Sequence, residues 1–144
     1  MNHPAWTIGH LVYSCQQIGG EIGLEPWLGN DWKLQFGTGS TPIADPTAYP
    51  DKPTLLLALD EGQRRLSDKL TSTKEGDRAQ PLPDVRYRSQ FPTLGHAVLD
   101  ILTAHTAMHV GQITVWRRAM GLAAVQENLP SDRAQCSQAA GRPI

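Results

Sequence analysis

Apolar residues recur at helical spacing in three windows of this chain, residues 4–18, 52–71 and 93–120. Apolar positions three or four residues apart predict an amphipathic α-helix. No stretch alternates apolar and polar residues strongly enough to predict a β-strand. We therefore predict an all-α protein in which three helices pack as an antiparallel bundle.

Residues at the ends of the windows support these limits. Asp51 and Thr93 stand where an N-cap is expected, and both residue types accept hydrogen bonds from the first turn of a helix. The glycines at 19–20 and at 121 predict the ends of the first and last helices, because glycine readily takes the left-handed conformation that closes a helix.

The segments outside the windows differ from them in composition. Residues 21–50 hold many glycines and prolines and predict a long non-helical segment, and loops of that length tend to be functional. A polar loop is expected between the second and third helices. We expect a bundle domain over residues 1–122 and a disordered tail over 123–144, which has no periodicity and many small or polar residues.

The apolar stripe of the last window contains two histidines. His105 and His109 are four residues apart, so their side chains lie on one face of the helix and can bind one divalent metal ion. Buried polar groups need a partner, so two core histidines either form hydrogen bonds or bind a metal. Such a pair alone is a weak signal. The full stripe is Leu94, Val98, Ile101, Leu102, His105, Met108, His109, Ile113, Trp116 and Met120.

Three motifs together make the signal stronger. They are NHPAWTIGHL at 2–11, which supplies His10 as a third candidate ligand, WKLQFGTGSTP at 32–42, and HTAMHVGQITVWRRAMG at 105–121. In combination, over residues 2–122, they resemble the DinB-like (damage-inducible) superfamily of metal-binding helical bundles.

The resemblance implies a three-histidine metal site at His10, His105 and His109, with nickel or zinc as the usual metal. It also implies that the segment 32–42 is a lid near that metal. Some members of the superfamily are thiol-dependent transferases or isomerases. The partner implied for this chain is therefore a low-molecular-weight thiol or another small-molecule substrate.

The resemblance further implies a four-helix bundle, whereas the pattern predicts three helices. In the superfamily another helix normally precedes the NHPxW segment, and here Met1 directly precedes Asn2. We expect that without this helix an apolar face is exposed, either along the first helix or along the stripe of the second. A partner chain, such as the second copy of a homodimer, or a change in helix register would have to cover it. The stripe in question is Leu55, Leu59, Leu66 and Leu70.

Two other histidines are weighed against these ligands. His96 lies nine residues before His105, roughly half a helical turn out of phase, so we expect it to face away. His3 lies seven residues before His10, near the same face, and remains an alternative ligand. Gln112 shares the face of His105 and His109 and either supports a ligand histidine or bonds loop backbone.

No general base can be named from the sequence. A zinc protease needs glutamate after the first histidine of its helical pair, and Thr106 occupies that position. Asp100 is five residues before His105, roughly 140° away around an α-helix. Glu21 and Glu25 stand near the end of the first helix. Metalloprotease chemistry is therefore excluded.

Composition narrows the class of protein. The net charge of -1 and the absence of a basic stripe argue against nucleic-acid binding. No apolar run approaches the length of a membrane span, and no signal peptide is evident. Cys15 and Cys136 do not form a disulfide framework and are expected to be reduced thiols. We therefore expect a cytoplasmic protein without a membrane or nucleic-acid partner.

Three hypotheses remain open at this point. The first is a metal-dependent enzyme that activates a thiol or water, with a thiol-dependent transferase as its sharpest form. The second is a non-catalytic metal-binding or stress-response bundle protein. The third is a bundle whose histidines are satisfied by hydrogen bonds alone. The motifs favour metal binding over the third hypothesis.

Overall fold

All regular secondary structure in residues 2–123, the part of the chain that the computed structural model describes, is helical. A single β-bridge joins Pro81 and Thr93, and this part of the chain contains no strand. The all-α prediction is confirmed. In chain order the elements are α1 (Pro4–Glu21), α2 (Asn30–Phe36), α3 (Lys52–Ser72), α4 (Glu75–Arg78), α5 (Leu94–Asp100), a π-turn (Ile101–His105) and α6 (Thr106–Ala119).

The three predicted helices are present as α1, α3 and the continuous rod formed by α5, the π-turn and α6. Asp51 and Thr93 cap α3 and α5 through their side chains, as expected. Gly121 closes the rod with φ 71°, also as expected. The predicted end of α1 is wrong: the helix passes through both glycines at 19–20 and ends at Glu21. A Cβ on Gly19 would lie 3.1 Å from Leu24, so this glycine makes room for packing.

The prediction that residues 21–50 are non-helical is wrong in part. The segment contains α2 and a 3-10 turn at Pro46–Ala48. Helix α2 is only 7 residues long and buries Phe36 alone, so it has no apolar stripe for a periodicity argument to detect. The four-residue spacing between Trp32 and Phe36 was the available signal. The loop after α3 likewise contains α4 and the 3-10 turn Val85–Tyr87.

Helix α1 is the centre of the packing, since it contacts α2, α3 and all three parts of the rod. Two buried clusters form around it. One lies towards the start of α1 and consists of Trp6, Phe36, Tyr49 and Leu55. The other lies towards its end and consists of Cys15, Leu66 and Val98.

The expectation of an exposed stripe on α3 is wrong. Leu55 and Leu66 are buried, and Leu59 and Leu70 are half-buried, because α1 packs on this face. The half-buried apolar residues of α1 do not form an exposed face either. The exposed apolar residues of the long helices lie elsewhere, at Leu56, Leu57, Leu99, Met108, Val110, Val115 and Met120. Two members of the predicted stripe of the rod, Met108 and Met120, are thus on the surface.

The expectations of no membrane span and of reduced cysteines can be compared with the structure only within residues 2–123. No helix within residues 2–123 is both long and apolar enough to cross a membrane. Cys15 is a free, buried thiol, and burial raises its pKa to about 11, which makes it unreactive. Cys136 and the predicted disordered tail lie outside the described residues, apart from position 123.

A close approach between α1 and α2 gives the first prediction. A Cβ added to Gly9 would lie 2.1 Å from the Phe36 ring. We expect Gly9→Ala to lower the free energy of unfolding by about 1–3 kcal/mol, because the packed ring has to move. Chemical denaturation followed by circular dichroism measures the change.

Gly20→Ala is the matched control on the same helix. A Cβ at Gly20 meets nothing within 4 Å, and its φ is not positive. This variant should be neutral or stabilising by up to about 1 kcal/mol. Equal destabilisation in both variants would contradict the close contact between α1 and α2.

Candidate metal centre

His105 and His109 point at one another across one turn of the rod. Their Nε2 atoms are 3.2 Å apart. Two nitrogens that each lie ~2.0–2.1 Å from a tetrahedral ion are roughly 3.3 Å apart. The pair therefore already has the separation that two ligands of one ion require.

His10 comes to this pair from α1. Its ring centroid lies 5.4 Å from that of His105 and 5.0 Å from that of His109. One nitrogen from each of the three rings can be chosen so that all lie within 4.8 Å of one another. His10 and His109 are 8% and 5% exposed, and His105 is partly buried. The structure thus brings together the three histidines singled out from the sequence.

Hydrogen bonds orient two of the rings. The carbonyl oxygen of Phe36 lies 2.8 Å from His10 Nδ1, and the amide oxygen of Gln112 lies 2.9 Å from His109 Nδ1. Because both oxygens can only accept, each Nδ1 carries the proton and each Nε2 keeps a lone pair. Outer partners of this kind fix the tautomer and orientation of metal-binding histidines. Of the two interpretations of Gln112, the structure therefore shows contact with a candidate ligand histidine.

The cluster favours neutral imidazoles. Burial, followed by repulsion from His109 and His10, lowers the pKa of His105 to about 4. Burial and the neighbouring His10 lower the pKa of His109, while its hydrogen bond to Gln112 acts in the opposite direction. Metal ligation requires the neutral form, so these two rings can bind a metal at neutral pH without first losing a proton.

These donors fit a divalent metal ion. Three imidazoles suit zinc, nickel, copper or iron, so the ligand set does not select the metal. His105 Nδ1 is buried and has no hydrogen-bond partner in the described chain, so hydrogen bonding alone does not satisfy the cluster. Three protein ligands also leave a coordination position for water or substrate, as in catalytic zinc sites.

The other histidines lie outside the cluster. His3 caps α1 and forms a hydrogen bond with the Ile43 carbonyl, so it is not an alternative ligand. His96 is exposed and bonds Thr93, which confirms that it faces away from the pair. Thr106, at the position of a zinc protease's glutamate, donates its hydroxyl to the Ile101 carbonyl within the π-turn.

Trp6 and the segment after α2 cover the site. The Trp6 ring stacks on His10 with centroids 5.0 Å apart and an interplanar angle of 5°. Its indole N–H donates to the Gln35 carbonyl and to the Ser40 hydroxyl. Trp6 therefore belongs to the core and also contacts the site. In the segment 32–42, the Phe36 carbonyl contacts His10 and Thr38 lines the same cavity as His10, while the role of a lid stays a prediction.

The π-turn changes the position of Asp100. In a regular α-helix Asp100 would lie roughly 140° from His105. The wider π-turn between them alters that angle, and both residues line one cavity. The expectation that Asp100 faces away from the site is therefore wrong. Nothing in the sequence pattern marks a π-turn.

The shifted histidine pKa predicts how stability depends on pH in the metal-free protein. His105 titrates at 6.5 when unfolded and at about 4 when folded, so between these values the unfolded chain binds more protons. Stability should therefore fall as the pH is lowered through this window. Thermal melts in a chelating buffer should show a shallower fall for His105→Gln. His96→Gln, outside the cluster, should keep the wild-type slope, and identical slopes in all three proteins would contradict the assignment.

Comparison with known proteins agrees with this geometry. No curated protein and no solved structure gave a significant match. A family profile described as the DinB superfamily matches residues 1–113, which include all three clustered histidines. The chain belongs to the DinB superfamily.

Proposed function

We propose that this chain is a divalent-metal protein that uses His10, His105 and His109 as ligands for nickel or zinc. The observation that carries the proposal is the convergence of three buried or partly buried imidazole rings, with ligand nitrogens within 4.8 Å of one another. The hydrogen bonds that His10 and His109 donate through Nδ1 to Phe36 and Gln112 support it, because they leave the two Nε2 lone pairs available.

We further propose that the site is catalytic and acts on a thiol or water, most specifically as a thiol-dependent transferase. A divalent ion held there would act as a Lewis acid and lower the pKa of a bound thiol or water. The support is a cavity of about 320 Å³ that reaches His10 and His105, which gives a small molecule access to the open coordination position. Asp100, on the wall of that cavity, is the nearest carboxylate to His105 along the rod.

A non-catalytic metal-binding or stress-response protein is the alternative. It would use the same three ligands to stabilise the bundle and would need no cavity beside them. Thermal shifts of the metal-loaded protein with a panel of small thiols separate the two. Stabilisation by thiols favours the enzyme, and no response to any thiol favours the alternative.

Self-association also stays a proposal. The exposed side chains of Met108 and Val115 are seven residues apart on the rod, and a second copy could pack there. Sedimentation velocity measures the association directly.

The metal proposal predicts a specific pattern of lost binding. Losing a residue that only forms a hydrogen bond with a ligand weakens metal binding by roughly 10–100-fold. His105→Ala removes a ligand itself, so it should weaken nickel or zinc binding by more than that. His96→Ala, the control histidine on the same rod, should bind as the wild type does. Calorimetric titration and elemental analysis measure both, and equal retention of metal in the two variants would exclude the site.

The hydrogen bond that His109 donates to Gln112 predicts a smaller effect on metal binding. Gln112→Leu should weaken metal binding by about 10–100-fold, because His109 loses the acceptor that orients its ring. Gln112→Glu keeps an acceptor and should retain or increase the affinity. If both variants bind equally weakly, the residue acts by packing and not through its hydrogen bond.

A further inference from the structure

The cavity beside the histidines, called here the side cavity, lies between four parts of the chain. They are a face of α1, α5 with the π-turn, the loop 82–91, and Thr38 in the segment after α2. Its volume of about 320 Å³ is at the lower end of the range for small-molecule sites. The side cavity therefore suits a small ligand.

The side cavity extends away from the histidines along α1. Ser14, Gln17 and Glu21 follow His10 on one face of the helix, and all four residues line the cavity. At ~1.5 Å per residue, Glu21 is roughly 16 Å from His10 along the helix axis. On the opposite wall Asp100 is only five residues from His105, which is less than half the sequence separation of Glu21 and His10. The carboxylates of Asp100 and Glu21 thus lie at different distances from the candidate metal.

The charged residues on its walls are all acidic. Among residues 2–123, Glu21, Asp84 and Asp100 line the side cavity, and no lysine or arginine does. Asp84 is neutralised by Arg86, whose Nη2 lies 2.5 Å from Asp84 Oδ2. Within residues 2–123 no salt bridge or side-chain hydrogen bond involves the carboxylates of Glu21 and Asp100. Two negative charges therefore remain for a ligand to neutralise.

The proposed metal ligands place the reacting end of a ligand. His10 is more than nine-tenths buried and lines the side cavity, and its Nε2 has no hydrogen-bond partner in the described chain. Ile18, Phe91 and Ala97 add apolar surface to the walls of the side cavity. The layout suits a molecule with a donor atom at one end, a short aliphatic middle and a positive charge beyond it.

We propose that the side cavity selects a small cationic ligand, a thiol or similar donor that carries an alkylammonium group. The donor end binds at the histidines, and the ammonium group lies against Asp100, with Glu21 receiving the charge of longer ligands. This inference rests on the proposed metal site for the donor end only, because the carboxylates are features of the chain itself.

The test compares thiols of matched shape on protein loaded with Co²⁺, whose absorption reports thiolate binding. Thiocholine carries a quaternary ammonium group, 3,3-dimethylbutane-1-thiol is its uncharged isostere, and 3-mercaptopropionate is negative. We expect thiocholine to bind at least about fivefold more tightly than the isostere, and mercaptopropionate to bind most weakly. Equal affinities for the three would overturn the proposal while leaving the metal and thiol assignments intact.

Two variants test whether Asp100 is responsible for the preference for a cationic thiol. Asp100→Asn should remove the preference for thiocholine without preventing Co²⁺ binding. Glu25→Gln, which changes an exposed carboxylate outside the side cavity, should keep the preference for thiocholine. If both variants keep the preference, Asp100 does not contact the ammonium group and the proposal fails.

A second measurement is independent of metal and thiol. Amide NMR spectra of the metal-free protein are titrated with choline and with 3,3-dimethylbutan-1-ol, its uncharged isostere. Choline alone should shift the amides of Asp100 and Ile101, and Asp100→Asn should abolish the shift. If no thiol binds the loaded protein, the thiol part of the proposed function fails and this titration still decides the charge preference. Equal shifts from the two alcohols overturn it.

Discussion

The hydrogen bond between His10 and the Phe36 carbonyl links the fold to the site. The hydrogen bond forms because α2 packs directly on α1. That contact requires glycine at position 9, because a Cβ at Gly9 would collide with the Phe36 ring. The same contact buries Phe36 in the cluster with Trp6, whose ring stacks on His10. One close approach between two helices thus fixes the position, the tautomer and the burial of a candidate ligand.

The π-turn has a comparable role on the other wall. A helix gains nothing in stability from a π-turn, whose geometry is less favourable than that of the α-helix, and such turns often occur at functional sites. Here it ends at His105, and Thr106 satisfies the Ile101 carbonyl inside it. Its effect is to let Asp100 and His105 line one cavity without disturbing the spacing of His105 and His109. The polar part of the site therefore depends on a local departure from regular helix.

Burial of three imidazoles has opposite consequences for the metal-free protein and for a metal centre. In the metal-free protein it leaves the buried Nδ1 of His105 without a partner and lowers the pKa values of His105 and His109. For a metal centre the same features provide neutral donors in a site shielded from water. The cost to the metal-free protein is thus a reason to regard the cluster as functional.

The sequence by itself determined the three long helices, the caps at Asp51 and Thr93 and the same-face placement of His105 and His109, because helical periodicity and capping are local properties. It also singled out His10, through motifs that the family match supports. Only the tertiary structure decided that His10 meets the pair, since α1 and the rod are distant in sequence. It also decided the short helix α2 and the shared cavity of Asp100 and His105. These features arise from packing between segments and from one irregular turn, and neither of these produces a periodic pattern of apolar residues in the sequence.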